Sequence, residues 1–187
     1  MFAQLDTKSV YSFMDSVVDL NSYVARAKEL GYQALGLMDH DNLYAAYHFA
    51  QLASRNGLRP LIGMEANLFY EGRKIPFRLL AKNNQGYKNL MKLATELSSG
   101  QREFTAFSDY LNAIALILPS EDWEPGMTLG SEVFIGVRPE DAGKEFDYPI
   151  VPLHTVRYFE NADRSTIQML HAISQNVSLS EASICPM

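Results

Sequence analysis

Cysteine is almost missing from this chain: Cys185 is the only one in 187 residues. An internal disulfide is therefore excluded, and so is a zinc site built from thiolates. Long apolar runs are missing too, since no stretch approaches the roughly 18 consecutive apolar residues of a spanning helix. The opening Met1-Phe2-Ala3-Gln4 is neither basic nor followed by an apolar core, so no signal peptide is expected. These absences describe a soluble, cytoplasmic protein without membrane contact. Positive charge is in deficit as well: 16 Lys and Arg stand against 22 Asp and Glu, a formal charge of −6. A duplex binder usually carries a basic stripe, because phosphate neutralisation supplies much of its affinity. Little direct DNA binding is expected of this chain alone.

The remaining composition is that of an ordinary globular protein, 47% hydrophobic and 20% charged. Residues 1–187 are read as one domain with a sizeable core. Strand and helix signals alternate along the first half. Phe2 to Lys8 reads as a strand, and Asn21 or Ser22 caps a helix that Gly31 ends. Gln33 to Met38 reads as a buried strand, and Asp41 or Asn42 opens a second helix running to about Arg55. Strand signals fill Leu58 to Phe69 and, after the turn Tyr70-Glu71-Gly72-Arg73, Ile75 to Ala81. A helix is expected from Asn84 to Ser98. Further strands follow at Ala113 to Leu118, Val133 to Val137 and Tyr148 to Pro152, with a last helix from Asn161 to Ser174. Repeated βα units imply an α/β fold with a mostly parallel sheet.

In such folds functional groups gather at strand ends. Four of these ends are polar here: Asp6 to Lys8, Asp39-His40, Glu65, and His154 to Arg157. Ionisable groups converging this way have the layout of a multinuclear metal site. Lys8 breaks it, because an ammonium only donates and cannot ligate a cation. Plainer uses compete at every position. Asp39 suits a helix cap, Glu65 can satisfy backbone donors or pair with Lys8, and His48, His154 and His171 suit surface or packing roles. The ten tyrosines and ten phenylalanines follow helix and strand periodicity, which fits core packing better than base stacking. Trp123 reads as an anchor within the surface loop from Ser120 to Gly130.

The segments MFAQLDTKSVYSFMDS, LGLMDHDNLYAAYHFAQLA, RPLIGMEANL and FRLLAKNNQGYKNLMKLA occur in that order, with PLHTVRYFENAD and MLHAISQN later. The series resembles the N-terminal PHP domain of the bacterial replicative DNA polymerase III alpha subunit. Its most specific part is LLAKN-x-x-GY-x-NL-x-KL. The resemblance implies a PHP-type distorted (β/α)7-like barrel and a trinuclear metal cluster for phosphoester hydrolysis. Carried onto this chain, the opening His-x-His falls on Asp6 and Lys8, and the next acidic ligand on Asp15. The histidine of the Thr-Asp-His motif falls on His40 and the family glutamate on Glu65. A histidine before the LLAKN strand falls near Pro76, and the late Asp-x-His falls on Thr155 and Arg157.

Several ligands are thus replaced, two of them by cations. The expected pocket consists of Asp6, Lys8, Asp15, His40, Glu65, Thr155 and Arg157. It has no catalytic residue and no resident metal beyond a weak residual ion on Asp6, Asp15 and His40. Lys8 and Arg157 are expected to neutralise Asp15 and Glu65 in place of the metals. The resemblance further implies a fragment of a much longer magnesium-dependent polymerase, since the apolar end, Ser183 to Met187, suggests continuation. The remainder of the alpha subunit is then the first expected partner and a proofreading exonuclease the second. The expected role is structural and interactive in DNA replication. The alternative is a metal-dependent phosphoesterase or 3′–5′ exonuclease on a reduced ligand set.

Overall fold

In this computed structural model residues 3–130 and 132–182 are described. Cys185, Phe2 and the apolar end from Ser183 lie outside them. Two compact units form: residues 1–40, 44–61 and 154–187 make the first, and residues 41–43 and 62–153 the second.

In the first unit the opening strand signal resolves into two short strands, β1 (Ala3–Gln4) and β2 (Asp6–Thr7). Helix α1 (Leu20–Glu29) starts two or three residues earlier than expected, because Asp19 is the cap and accepts the Ser22 N–H at 3.0 Å. Tyr23, Val24 and Ala27 form its buried face. Gly31 ends it at φ +74°, where the Tyr32 N–H reaches the Ala27 carbonyl at 3.0 Å. Strand β3 (Ala34–Leu37) is wholly buried and runs parallel to β1, with Ala3 opposite Ala34. Gly36 is obligatory there, since a Cβ would stand 2.0 Å from the Leu5 carbonyl oxygen. Helix α2 (Ala46–Arg55) begins later than Asp41 or Asn42. Asp41 has φ +54°, outside the helical region, so the helix cannot start there. Phe49 on α2 stacks on Tyr23 at 5.9 Å between ring centres.

Strand β4 (Arg59–Tyr70) starts in the first unit and continues into the second. There it pairs antiparallel with β5 (Arg73–Ala81) across Glu71 and Gly72, at φ +50° and +79°. Two positive φ values in a two-residue loop define the tight hairpin turn that matches strand twist. Strand β6 (Ile114–Pro119) is antiparallel to β5, while β7 (Val133–Val137) and β8 (Ile150–Pro152) continue parallel, in the order β4-β5-β6-β7-β8. Strand pairing is mostly parallel, as expected, and β5 is the exception, antiparallel to both β4 and β6. Pro76 is tolerated in β5 because β6 pairs only from Arg78 onward, leaving its other edge open.

Helix α3 (Asn84–Ser98) has the bounds expected from its periodicity. Within the LLAKN-x-x-GY motif, Asn83 caps it by accepting the Gln85 and Gly86 N–H groups at 2.9 and 3.1 Å. Gly86 admits the Ala113 carbonyl to 2.1 Å from where a Cβ would be. Asn89 donates to the Asn112 carbonyl at 2.8 Å. Leu90, Leu93 and Leu97 then pack with Phe77, Leu79, Phe107 and Ile135 in one core cluster. Trp123 is half-buried edge-on against Phe146 at 5.2 Å, the anchor its loop position suggested. Back in the first unit, β9 (Thr155–Val156) lies parallel to β2, and α4 (Asp163–Gln175) follows. Among the described residues no helix is long and apolar enough to cross a membrane.

Candidate functional site

Pairing of β2 with β9 sets Asp6 opposite Thr155 in the first unit. The Thr155 hydroxyl donates to Asp6 Oδ2 at 2.7 Å. Two residues on, the Lys8 side chain turns back along the strand. Its Nζ lies 3.0 Å from Asp6 Oδ1 and donates to the Met38 carbonyl at 2.6 Å. Neither side chain of this pair has any exposure to solvent. Removing two charges from water is costly, and only close pairing with additional hydrogen bonds offsets it. The Met38 carbonyl and the Thr155 hydroxyl supply those bonds.

The next turn is pinned from beneath by Asp39. This carboxylate, 2% exposed, accepts the Ser9 N–H, the Ser9 hydroxyl and the Ser12 hydroxyl, each at 2.7 Å. Ser12 Oγ in turn accepts the His40 N–H at 3.1 Å. Asp39 is therefore not a helix cap but the clamp of the 9–12 turn, a role that sequence reasoning missed. The hydroxyls three apart in Ser9-Val10-Tyr11-Ser12 were its only visible signal. The same turn leaves Phe13 84% exposed.

Asp15 is held by a second cation. Arg157 Nε donates to Asp15 Oδ1 at 2.9 Å, and His171 Nε2 lies 3.2 Å from the same oxygen. The Arg157 carbonyl meanwhile accepts the Val17 N–H at 3.1 Å and the Ser16 hydroxyl at 3.0 Å, which ties the loop to the end of β9. His171, read from sequence as a surface or packing residue of the last helix, instead faces Asp15. Nearby, burial pushes the Tyr23 hydroxyl well above the usual phenol range, and it remains a neutral donor to the Gly36 carbonyl at 2.9 Å.

Glu65 belongs to the second unit, where Arg78 Nη2 lies 3.1 Å from its carboxylate. Within the first unit Lys8 is paired with Asp6. The pairing of Arg157 with Asp15 is present. Asp6 opens β2 and Lys8 stands just past its end, two residues on, so their proximity is built into the extended backbone.

In the first unit Asp6 and Asp15 each engage a cationic side chain, and the ammonium at Lys8 presents protons where a ligand would present a lone pair. Among the described residues no group of three or more His, Cys, Asp or Glu side chains is arranged to hold a metal ion.

Residues 4–177 match the family described as PHP domain. The DNA polymerase III subunit alpha of Streptococcus pyogenes serotype M1 is 45% identical over 186 residues, covering 98% of this chain and 18% of that protein. The DNA polymerase III subunit alpha of Bacillus subtilis is 33% identical over 126 residues, covering 64% of this chain and 11% of its own length. The chain therefore spans less than a fifth of the curated relatives it matches. A solved amidohydrolase from Chromobacterium violaceum aligns over 66% of this chain and 69% of its own, at 11% identity and a TM-score of 0.47, a likeness too slight to bear on chemistry.

Proposed function

This chain belongs to the PHP domain family, and from that premise we propose that it is a structural and protein-interaction domain of a replicative DNA polymerase alpha subunit whose phosphoesterase site no longer works. The observation that carries the reading is the fully buried ion pair of Lys8 with Asp6. A metal-activated hydroxide needs a cation with open coordination positions. At Asp6 the positive charge is an ammonium, which has none, and at Asp15 it is a guanidinium. Both charges are permanent parts of the fold. The similarity to polymerase alpha subunits supports a place in DNA replication, with the remainder of such a subunit as the partner.

The test is incubation of the purified chain with a labelled single-stranded oligonucleotide and added manganese or zinc. No cleavage above a protein-free control is expected. Cleavage abolished both by chelator and by His40→Ala would overturn the proposal.

A further inference from the structure

The second unit contains a cleft of about 930 Å³ that the charge pairs of the first unit do not use. Its volume lies in the range of pockets that enclose a ligand or a short peptide segment. Phe104, Leu116 and Leu129, all core residues, form an apolar floor. The charged residues around it are Glu71, Glu103 and Glu132 against Lys82, and Lys82 is ion-paired with Glu132. Three carboxylates against one ammonium leave the rim negative. Phosphate-bearing ligands are repelled by such a rim, whereas cationic groups are drawn to it. Strand addition offers no foothold here. The Phe69 N–H already donates to the Arg102 carbonyl at 2.7 Å, and β6 has a neighbour on each side. Recognition must therefore come from side chains: an apolar anchor on the floor and positive charge at the rim.

We infer that this cleft receives a short segment of a partner protein in which a large apolar side chain is flanked by lysine or arginine. The inference rests on the interaction role proposed above and gives that role a location and a chemistry. Charge complementarity selects a basic segment, and the apolar floor selects against one that is merely basic.

Fluorescence anisotropy of a labelled peptide, Arg-Lys-Leu-Phe-Lys-Arg, titrated with the full chain, tests it. Saturable binding is expected, at least tenfold weaker when Gly-Ser replaces Leu-Phe. Thr105→Trp fills the cleft mouth from an exposed position without changing charge, and is expected to weaken binding tenfold or more. Ser108→Trp, also on the lining and exposed, serves if the first variant does not fold. Glu103→Gln is expected to weaken binding and flatten its salt dependence. Absence of saturable binding, equal binding of the Gly-Ser peptide, or equal binding by the folded tryptophan variants would overturn the inference. The nuclease assay is indifferent to all of these outcomes, so failure here and failure of the inactive-site reading are separately visible.

Discussion

In the proposed reading Lys8 supplies a positive charge without a metal's chemistry. Its ammonium is fully buried against Asp6, and the pair is closed by the Met38 carbonyl and the Thr155 hydroxyl. Breaking a buried pair by removing one partner leaves an uncompensated charge and costs about 3–5 kcal/mol. Lys8→Met is therefore expected to lower the free energy of unfolding by that amount, read from a denaturant midpoint. Replacing both partners, as in Lys8→Met with Asp6→Leu, is expected to recover much of the loss, because neither member of the pair is then left as a lone buried charge. A single variant as stable as the parent would show that the pair contributes nothing. The loss of ligand character at Lys8 was legible from residue type alone. The pairing with Asp6 lies in the spacing itself, two residues back along extended backbone, whereas the resemblance pointed to Asp15 and Glu65.

Local elements carry their own energetics. The β4–β5 hairpin places Glu71 at φ +50°, a region that costs an ordinary L-residue roughly 1–2 kcal/mol and that asparagine tolerates better. Glu71→Asn is expected to raise stability by about 0.5–1 kcal/mol in a thermal or denaturant melt, with the antiparallel register unchanged. A short 3₁₀ turn, Pro139–Asp141, has a different device. The Asp141 carboxylate accepts the Arg138 N–H at 2.9 Å, the Lys144 ammonium at 2.7 Å and the Ser120 hydroxyl at 2.6 Å. The Arg138 N–H first, then Lys144 and Ser120, hold its pKa down at about 2. The folded value lies below the unfolded one of about 3.9, so this stabilisation is complete above about pH 4 and is lost as pH falls toward 2. Asp141→Asn is expected to cost about 1–2 kcal/mol at pH 7 and far less at pH 2, measured by denaturation at both values. Gly72 announced its turn in the sequence. The antiparallel consequence was hidden, because the alternation of strands and helices elsewhere favoured parallel pairing.

For the molecule as a whole, the proposed inactive site predicts folding that does not depend on a divalent ion. Asp6 and Asp15 each already have a cationic partner in the first unit, Lys8 for Asp6 and Arg157 for Asp15. Chelator treatment is expected to leave the melting temperature unchanged, since a ligand stabilises only the state that binds it. Elemental analysis by inductively coupled plasma is expected to find less than one transition metal per chain. Two or more stoichiometric ions would show that the cations do not replace a cluster.

Much of this protein can be read before it folds. Helix α3, strand β7, the capping role of Asn83 and the tight approach at Gly86 follow from periodicity, turn chemistry and residue size, all of which act over a few residues. That Lys8 and Arg157 cannot ligate a metal follows from their functional groups, which no environment converts into ligands. Other features depend on positions far apart in the chain. The approach of His171 to Asp15, the clamp that Asp39 places on Ser9 and Ser12, and the acidic cleft over Phe104 all arise where separate segments meet. Pairing between side chains depends on distances of a few ångströms, and only strand register and packing set distances that short.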